Sequence, residues 1–158
     1  MNMTVRHILV PIDFKACSSR IVDFARTVAG GLNAQIHLVH VLEEPYTSAG
    51  PYEFHLPDTP DRRERLYAQA CGRLTRLADE MRVKDIRTTV EVRGGSAPDE
   101  IVKAAVDYGA DLIVMGTHGR SGLHHLLTGS VAEHVIRRAP CPVLAIRDRD
   151  AAIDASAA

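Results

Sequence analysis

Residues 111–133 read DLIVMGTHGRSGLHHLLTGSVAE. Asp111-Leu112-Ile113-Val114-Met115 is a short apolar run, the mark of a strand buried on both faces. Gly116-Thr117-His118-Gly119-Arg120-Ser121-Gly122 follows, and later Thr128-Gly129-Ser130. Ser130-Val131-Ala132-Glu133 is a capping box and opens a helix. Val131, Val135 and Ile136 are expected to point inward, with Arg137 and Arg138 at the end of the helix that favours cations. Strand, glycine-rich loop and helix start, in that order, make one corner of an α/β fold.

The same alternation extends outward from this corner. His7-Ile8-Leu9-Val10-Pro11-Ile12 reads as a strand that ends at Asp13. Ser18 or Ser19 caps a helix with the stripe Ile21, Phe24, Ala25, Val28 and Ala29, expected to stop at Gly30-Gly31. Ala34 to Leu42 is a second strand. Residues 43–59 carry Pro45, Pro51 and Pro57 and no period, so they read as a long loop. Thr59-Pro60-Asp61 starts a long helix with Leu66, Ala70, Leu74, Leu77, Ala78 and Met81 on one face and a solvated, arginine-rich other face. Ile86 to Val92 is a third strand, followed by a turn at Gly94-Gly95. Ser96 and Asp99 form the next helix-start signature; Ile101, Val102, Ala105 and Val106 are its apolar face, and Gly109 closes it. Pro142 to Arg147 is the fifth strand. Residues 1–148 read as one domain and 149–158 as a disordered tail.

The order βαβαβαβαβ predicts an open parallel sheet with helices on both faces and right-handed crossovers. Covering both faces requires the strand order to reverse, and ligands bind beyond the strands' C-terminal ends at that reversal. The candidate positions are Asp13, Leu42-Glu43, Arg93 to Gly95, and Gly116 onward.

Composition excludes other classes. In 158 residues, Lys+Arg is 19 and Asp+Glu is 20, a net charge of −1, which argues against a nucleic-acid binder. Aromatics are 4% with no Trp, too few for a base-stacking platform. No run approaches a membrane span, and Met1 to His7 lacks the apolar core of a signal peptide. Cys17, Cys71 and Cys141 form no CxxC pair and read as free thiols in a reducing cytoplasm. The eight histidines include His37, His40, His118, His124 and His125, and none has the spacing of a helical zinc pair.

The glycine-rich loop carries the chemistry. Its glycines permit close backbone approach, and the helix N-terminus offers free amides and a positive dipole end, a combination that suits phosphate. Thr117, Arg120 and the Ser130 hydroxyl add donors. There is no GxxxxGK[ST] P-loop and no GxGxxG after the first strand. Asp13 could bind a ribose hydroxyl or hold Mg²⁺ against phosphates, or cap the next helix. No G-x-S-x-G elbow or other catalytic set is present.

These residues resemble the universal stress protein family over nearly the whole chain. The carriers are His7 to Asp13, Asp111 to Gly116, Gly129 to Val135 and Cys141 to Leu144. The family's ATP-binding branch has Gly, two residues, Gly, nine residues, Gly, then Ser or Thr; Gly116, Gly119, Gly129 and Ser130 satisfy it. The resemblance implies strand order 3-2-1-4-5, with Asp13 beside Gly116. It implies that Pro11, Ile12 and Asp13 border adenosine, with Asp13 on ribose or a metal–phosphate group. Val41 would offer backbone groups to adenine, and Met115 and Gly116 would line the floor. Gly119, Gly129, Ser130 and Val131 would hold the phosphates; Arg120 is added for its charge. A homodimer through the fifth strand, about Val143 to Arg147, is also implied.

The expected function is an ATP-binding stress or signalling module whose nucleotide state alters contact with a protein partner. ATP over another adenine nucleotide is implied by the family alone. The alternatives are a slow Mg-dependent ATPase or nucleotidyl-transfer enzyme using Asp13, and a nucleotide-free interaction protein.

Overall fold

The computed structural model describes residues 4–14, 18–43, 59–82, 85–117 and 130–146. The apolar runs form β1 (His7–Pro11), β2 (Gln35–Leu42), β3 (Thr88–Gly94), β4 (Leu112–Gly116) and β5 (Val143–Ile146). Between them lie α1 (Ser18–Leu32), α2 (Pro60–Arg82), α3 (Ala97–Tyr108) and α4 (Ser130–Arg138). All strand pairings are parallel, in the order β3-β2-β1-β4-β5. The reversal therefore lies between β1 and β4, as the resemblance implied. Residues 44–58 and the tail, two of the sequence expectations, lie outside the described residues.

Strand alternation sorts the core into two layers. On one face Ile8, Val10, Ile36, Leu38 and Val114 meet Ile21 and Ala25 of α1 and Ala70, Leu74 and Ala78 of α2. On the other, Leu9, Val39, Ile113 and Met115 meet Ile101, Ala104 and Ala105 of α3 and Ala132 and Val135 of α4. α1, α3 and α4 each differ from the expected stripe by about one residue, whereas α2 buries Ala70, Leu74, Ala78 and Met81 as expected. Phe24, Leu66, Val106 and Ile136 are exposed, while Val22, Ala104 and Ala132 are buried.

Other differences are local. α1 runs through Gly30-Gly31 to Leu32, because Asn33 takes the left-handed cap conformation (φ 52°) and Ala34 N–H reaches the Ala29 carbonyl (3.0 Å). β3 begins at Thr88 and extends to Gly94, since β2 pairs with it as far as Leu42↔Gly94. Gly95 then turns the chain (φ 136°). Ser96 is the N-cap of α3 without a side-chain capping bond. Its hydroxyl instead serves the Asp99 carboxylate, which Ser96 and then Arg138 hold below the usual carboxylate range. Gly109 closes α3 as expected (φ 64°).

Asp111 locks β1 to β4 at the sheet's lower edge. Its Oδ2 accepts the Arg6 and His7 amides (2.8 and 3.0 Å), and its own N–H donates to the His7 carbonyl (2.9 Å). The Arg6 amide is the main cause of a carboxyl pKa below the usual 3.8. A depressed folded value contributes stability above the ordinary pKa and loses it as pH falls through the folded one. Asp111→Asn is therefore expected to cost about 1 kcal/mol at neutral pH. Denaturant melts of the two proteins should converge as pH drops below the ordinary carboxylate range; an undiminished gap in acid would refute the charge-based account.

Candidate functional site

The crevice is set by where β1 leaves the sheet. β1 pairs with β2 through Pro11↔Val39, and the Ile12 N–H still donates to the Val39 carbonyl (2.8 Å). Asp13 is exposed beyond that point. Because strand residues two apart present their backbone groups to the same side, Val41 points its N–H and C=O the way Val39 does, past the last β1 pairing.

The β4 side follows the same parity. Ile113 N–H and Thr117 N–H both donate toward β5, to the Pro142 and Ile146 carbonyls (3.0 Å each). Gly116, between them in register, presents its backbone toward β1. The Ile8↔Leu112 and Leu9↔Ile113 pairs, carried up the strands, set Ile12 level with Gly116. Val41 and Gly116 thus offer backbone groups from the two sides of the gap that β1 vacates, with Asp13 at its edge.

Several expected residues also pack within the fold. A Cβ on Gly116 would lie 2.8 Å from Ile21 Cδ1, so this glycine lets α1 close on β4. Met115 is buried in the α3/α4 layer, and Val131 packs against that layer through its side chain. The Val131 amide is nevertheless in the first turn of α4, among the donors that a helix leaves unpaired. Thr117 is only 4% exposed, and its hydroxyl donates to the Ile146 carbonyl (3.4 Å) rather than offering itself as a phosphate donor. Gly119, Arg120 and Gly129, and the Ser130 hydroxyl, lie outside what is described; Ser130 itself opens α4.

Three residues to which the sequence reading gave no part in the site hold the turn around Asp13. Phe14 sits in the left-handed region (φ 59°), a conformation that costs a non-glycine residue about 1 kcal/mol. His40 Nδ1–H donates to the Ile12 carbonyl (2.6 Å), and its ring lies 4.6 Å from the Phe14 ring. Arg73 of α2 places its guanidinium 3.9 Å from the Phe14 ring centroid and donates to the Phe14 carbonyl (3.4 Å). An aromatic just past a strand end was the one available signal; the partner 59 residues away leaves none.

Among the described residues no group of three His, Cys, Asp or Glu could hold a metal. His37 is engaged by Thr89 (2.7 Å) and Glu91 (3.1 Å) and stacks on Tyr108. Cys71 and Cys141 are free, and burial pushes the Cys141 thiol up, away from reactivity.

Residues 4–147 match the family model described as "Universal stress protein family". The chain belongs to the universal stress protein family. It is 34% identical over 144 residues to universal stress protein A homolog 1 of Coxiella burnetii, covering 91% of this chain and 97% of that one. A solved structure of the hypothetical protein MJ0577 superposes with a TM-score of 0.78 at 26% identity, over 92% of this chain and 98% of that one. Two solved members of the family are nucleotide complexes. One holds cAMP (TM-score 0.65, 23% identity, 91% of this chain and 98% of that one). The other, from Archaeoglobus fulgidus, holds dAMP (0.61, 24%, 90% and 98%). At these identities the two complexes establish likeness of fold.

Proposed function

We propose that this universal stress protein binds an adenine nucleotide, ATP by family analogy, at the β1/β4 reversal, and that nucleotide occupancy alters contact with a protein partner. The observation that carries this reading is the crevice itself. β1 departs at Asp13 where Val41 and Gly116 present backbone groups from either side. The Gly116, Gly119, Gly129, Ser130 pattern then leads from the crevice to the N-terminus of α4. That relatives of the same fold hold cAMP and dAMP supports the adenine moiety. Pro11, Ile12 and Asp13 would border the adenosine; Val41 would face adenine, and Met115 and Gly116 would form the floor. Gly119, Arg120, Gly129, Ser130 and Val131 would take the phosphates.

Mg²⁺ fits this arrangement only as a companion of the nucleotide. Asp13 is one carboxylate, and Mg²⁺ is commonly held by one or two carboxylates together with substrate phosphates. Bound there, the ion would neutralise phosphate charge. Heating the purified protein is expected to release an adenine nucleotide, identifiable by chromatography; release of none from protein that also ignores added nucleotide would remove the reading. Steady ADP production abolished by Asp13→Ala would instead establish the slow ATPase.

A homodimer through β5 belongs to the same proposal. Of the two sheet edges, β3 carries Glu91 and Arg93, with Arg93 tied to Glu91 (3.0 Å) and Asp107 (2.8 Å). β5 instead presents Leu144, 36% exposed, in the run Val143-Leu144-Ala145-Ile146. An apolar edge strand invites pairing and a charged one resists it. Leu144→Glu is expected to shift the protein from dimer to monomer in sedimentation; a wild-type monomer at micromolar concentration would refute the interface. Free Cys71 and Cys141 favour a cytoplasmic setting, and no described helix is long and apolar enough to cross a membrane.

A further inference from the structure

The geometry points to Arg73 as a positioning residue for Asp13, an assignment that rests on the nucleotide reading of the crevice. Asp13 lies between two peptide groups that other elements hold. On its N-terminal side, the Ile12 N–H is taken by Val39 and the Ile12 carbonyl by His40, both from β2. On its C-terminal side Phe14 packs on the core layer and against the His40 ring, and Arg73 of α2 adds a hydrogen bond to the Phe14 carbonyl and a cation over the Phe14 ring. Phe14 occupies a backbone conformation that an aromatic residue adopts only when its surroundings impose it (φ 59°).

The two contacts act on the same degree of freedom. A guanidinium over the ring face fixes where the side chain lies, and a hydrogen bond to the carbonyl fixes the peptide plane that follows. Without them Phe14 would relax toward negative φ, and the backbone at Asp13 would turn with it. The carboxylate would then leave the edge of the gap between Val41 and Gly116. The arginine-rich face of α2, read from sequence as merely solvated, thereby reaches the nucleotide crevice, and any event that moves α2 changes affinity without touching the ligand.

The test uses the full chain, ATP with Mg²⁺ as probe, and two readouts. In nucleotide-free protein, the NMR backbone shifts and couplings of Phe14 are expected to leave the left-handed region in Arg73→Gln. The Kd for ATP should rise about fivefold, the scale of an exposed cation–π contact. Arg73→Lys should retain part of the affinity, because a cation stays near the ring without the planar fork. Combining Arg73→Gln with Phe14→Leu should lose no more than the worse single variant, since both act through one contact. Unchanged Phe14 couplings in Arg73→Gln, or an unchanged Kd where the wild type binds, would overturn the assignment. A wild type that binds no nucleotide, with Phe14 released in Arg73→Gln, would sink the nucleotide reading and sustain the hold of Arg73 on the turn.

Discussion

Replacing Gly119 and Gly129 together by Val is expected to abolish measurable ATP binding. Both positions belong to the segment that joins β4 to α4, where phosphate would be held by backbone amides at a helix N-terminus. A phosphate oxygen approaches such amides to hydrogen-bond distance only where no Cβ intervenes. Valine adds a branched side chain and restricts the backbone that glycine leaves free. Losing two hydrogen bonds to a charged group, each worth about 2 kcal/mol, raises Kd about a thousandfold. The melting temperature without nucleotide serves as the control. Gly116→Val is a poorer test, because its Cβ would strike Ile21 and disturb α1 as well. Affinity retained in the double variant would refute the phosphate assignment.

Leu74→Ala is expected to cost about 3 kcal/mol and to lower the melting temperature by about 10 °C. Leu74 is fully buried in α2, in the layer shared with Ile36 and Leu38 of β2. Its truncation leaves a cavity between helix and sheet that rigid strands cannot close. Leu66→Ala, on the same helix, is the paired control. Leu66 is 42% exposed, so its loss should fall within about 0.5 kcal/mol. Equal costs at the two positions would contradict the observed facing of α2.

This pair also shows what a linear reading can and cannot see. Strands buried in a parallel sheet are continuous apolar runs, so His7 to Ile12 and Asp111 to Met115 announce themselves, and strict alternation with helices leaves few topologies. Helix facing is less certain by one position, because periodicity cannot distinguish Leu66 at the flank from Leu74 at the centre. Asp13 and Gly116 are candidates because the reversal point follows from topology; Val41 is a candidate through the resemblance alone. Contacts that depend on tertiary placement left no trace. Asp111 joins β1 to β4 across 105 residues at Arg6, and Arg73 reaches Phe14 across 59. Thr117 shows the opposite error: a hydroxyl in a glycine-rich context looked available, yet the fold commits it to the Ile146 carbonyl.

The near-zero net charge of −1 is compatible with an anion site. Backbone amides and a helix terminus add nothing to a count of Lys and Arg, so a site built from them is invisible in composition.

The most direct test is calorimetric titration of the full chain with Mg-ATP. The account predicts saturable binding of one nucleotide per chain, with a matching rise in melting temperature. Absence of both heat and thermal shift at millimolar nucleotide, in protein shown to carry none already, would contradict it.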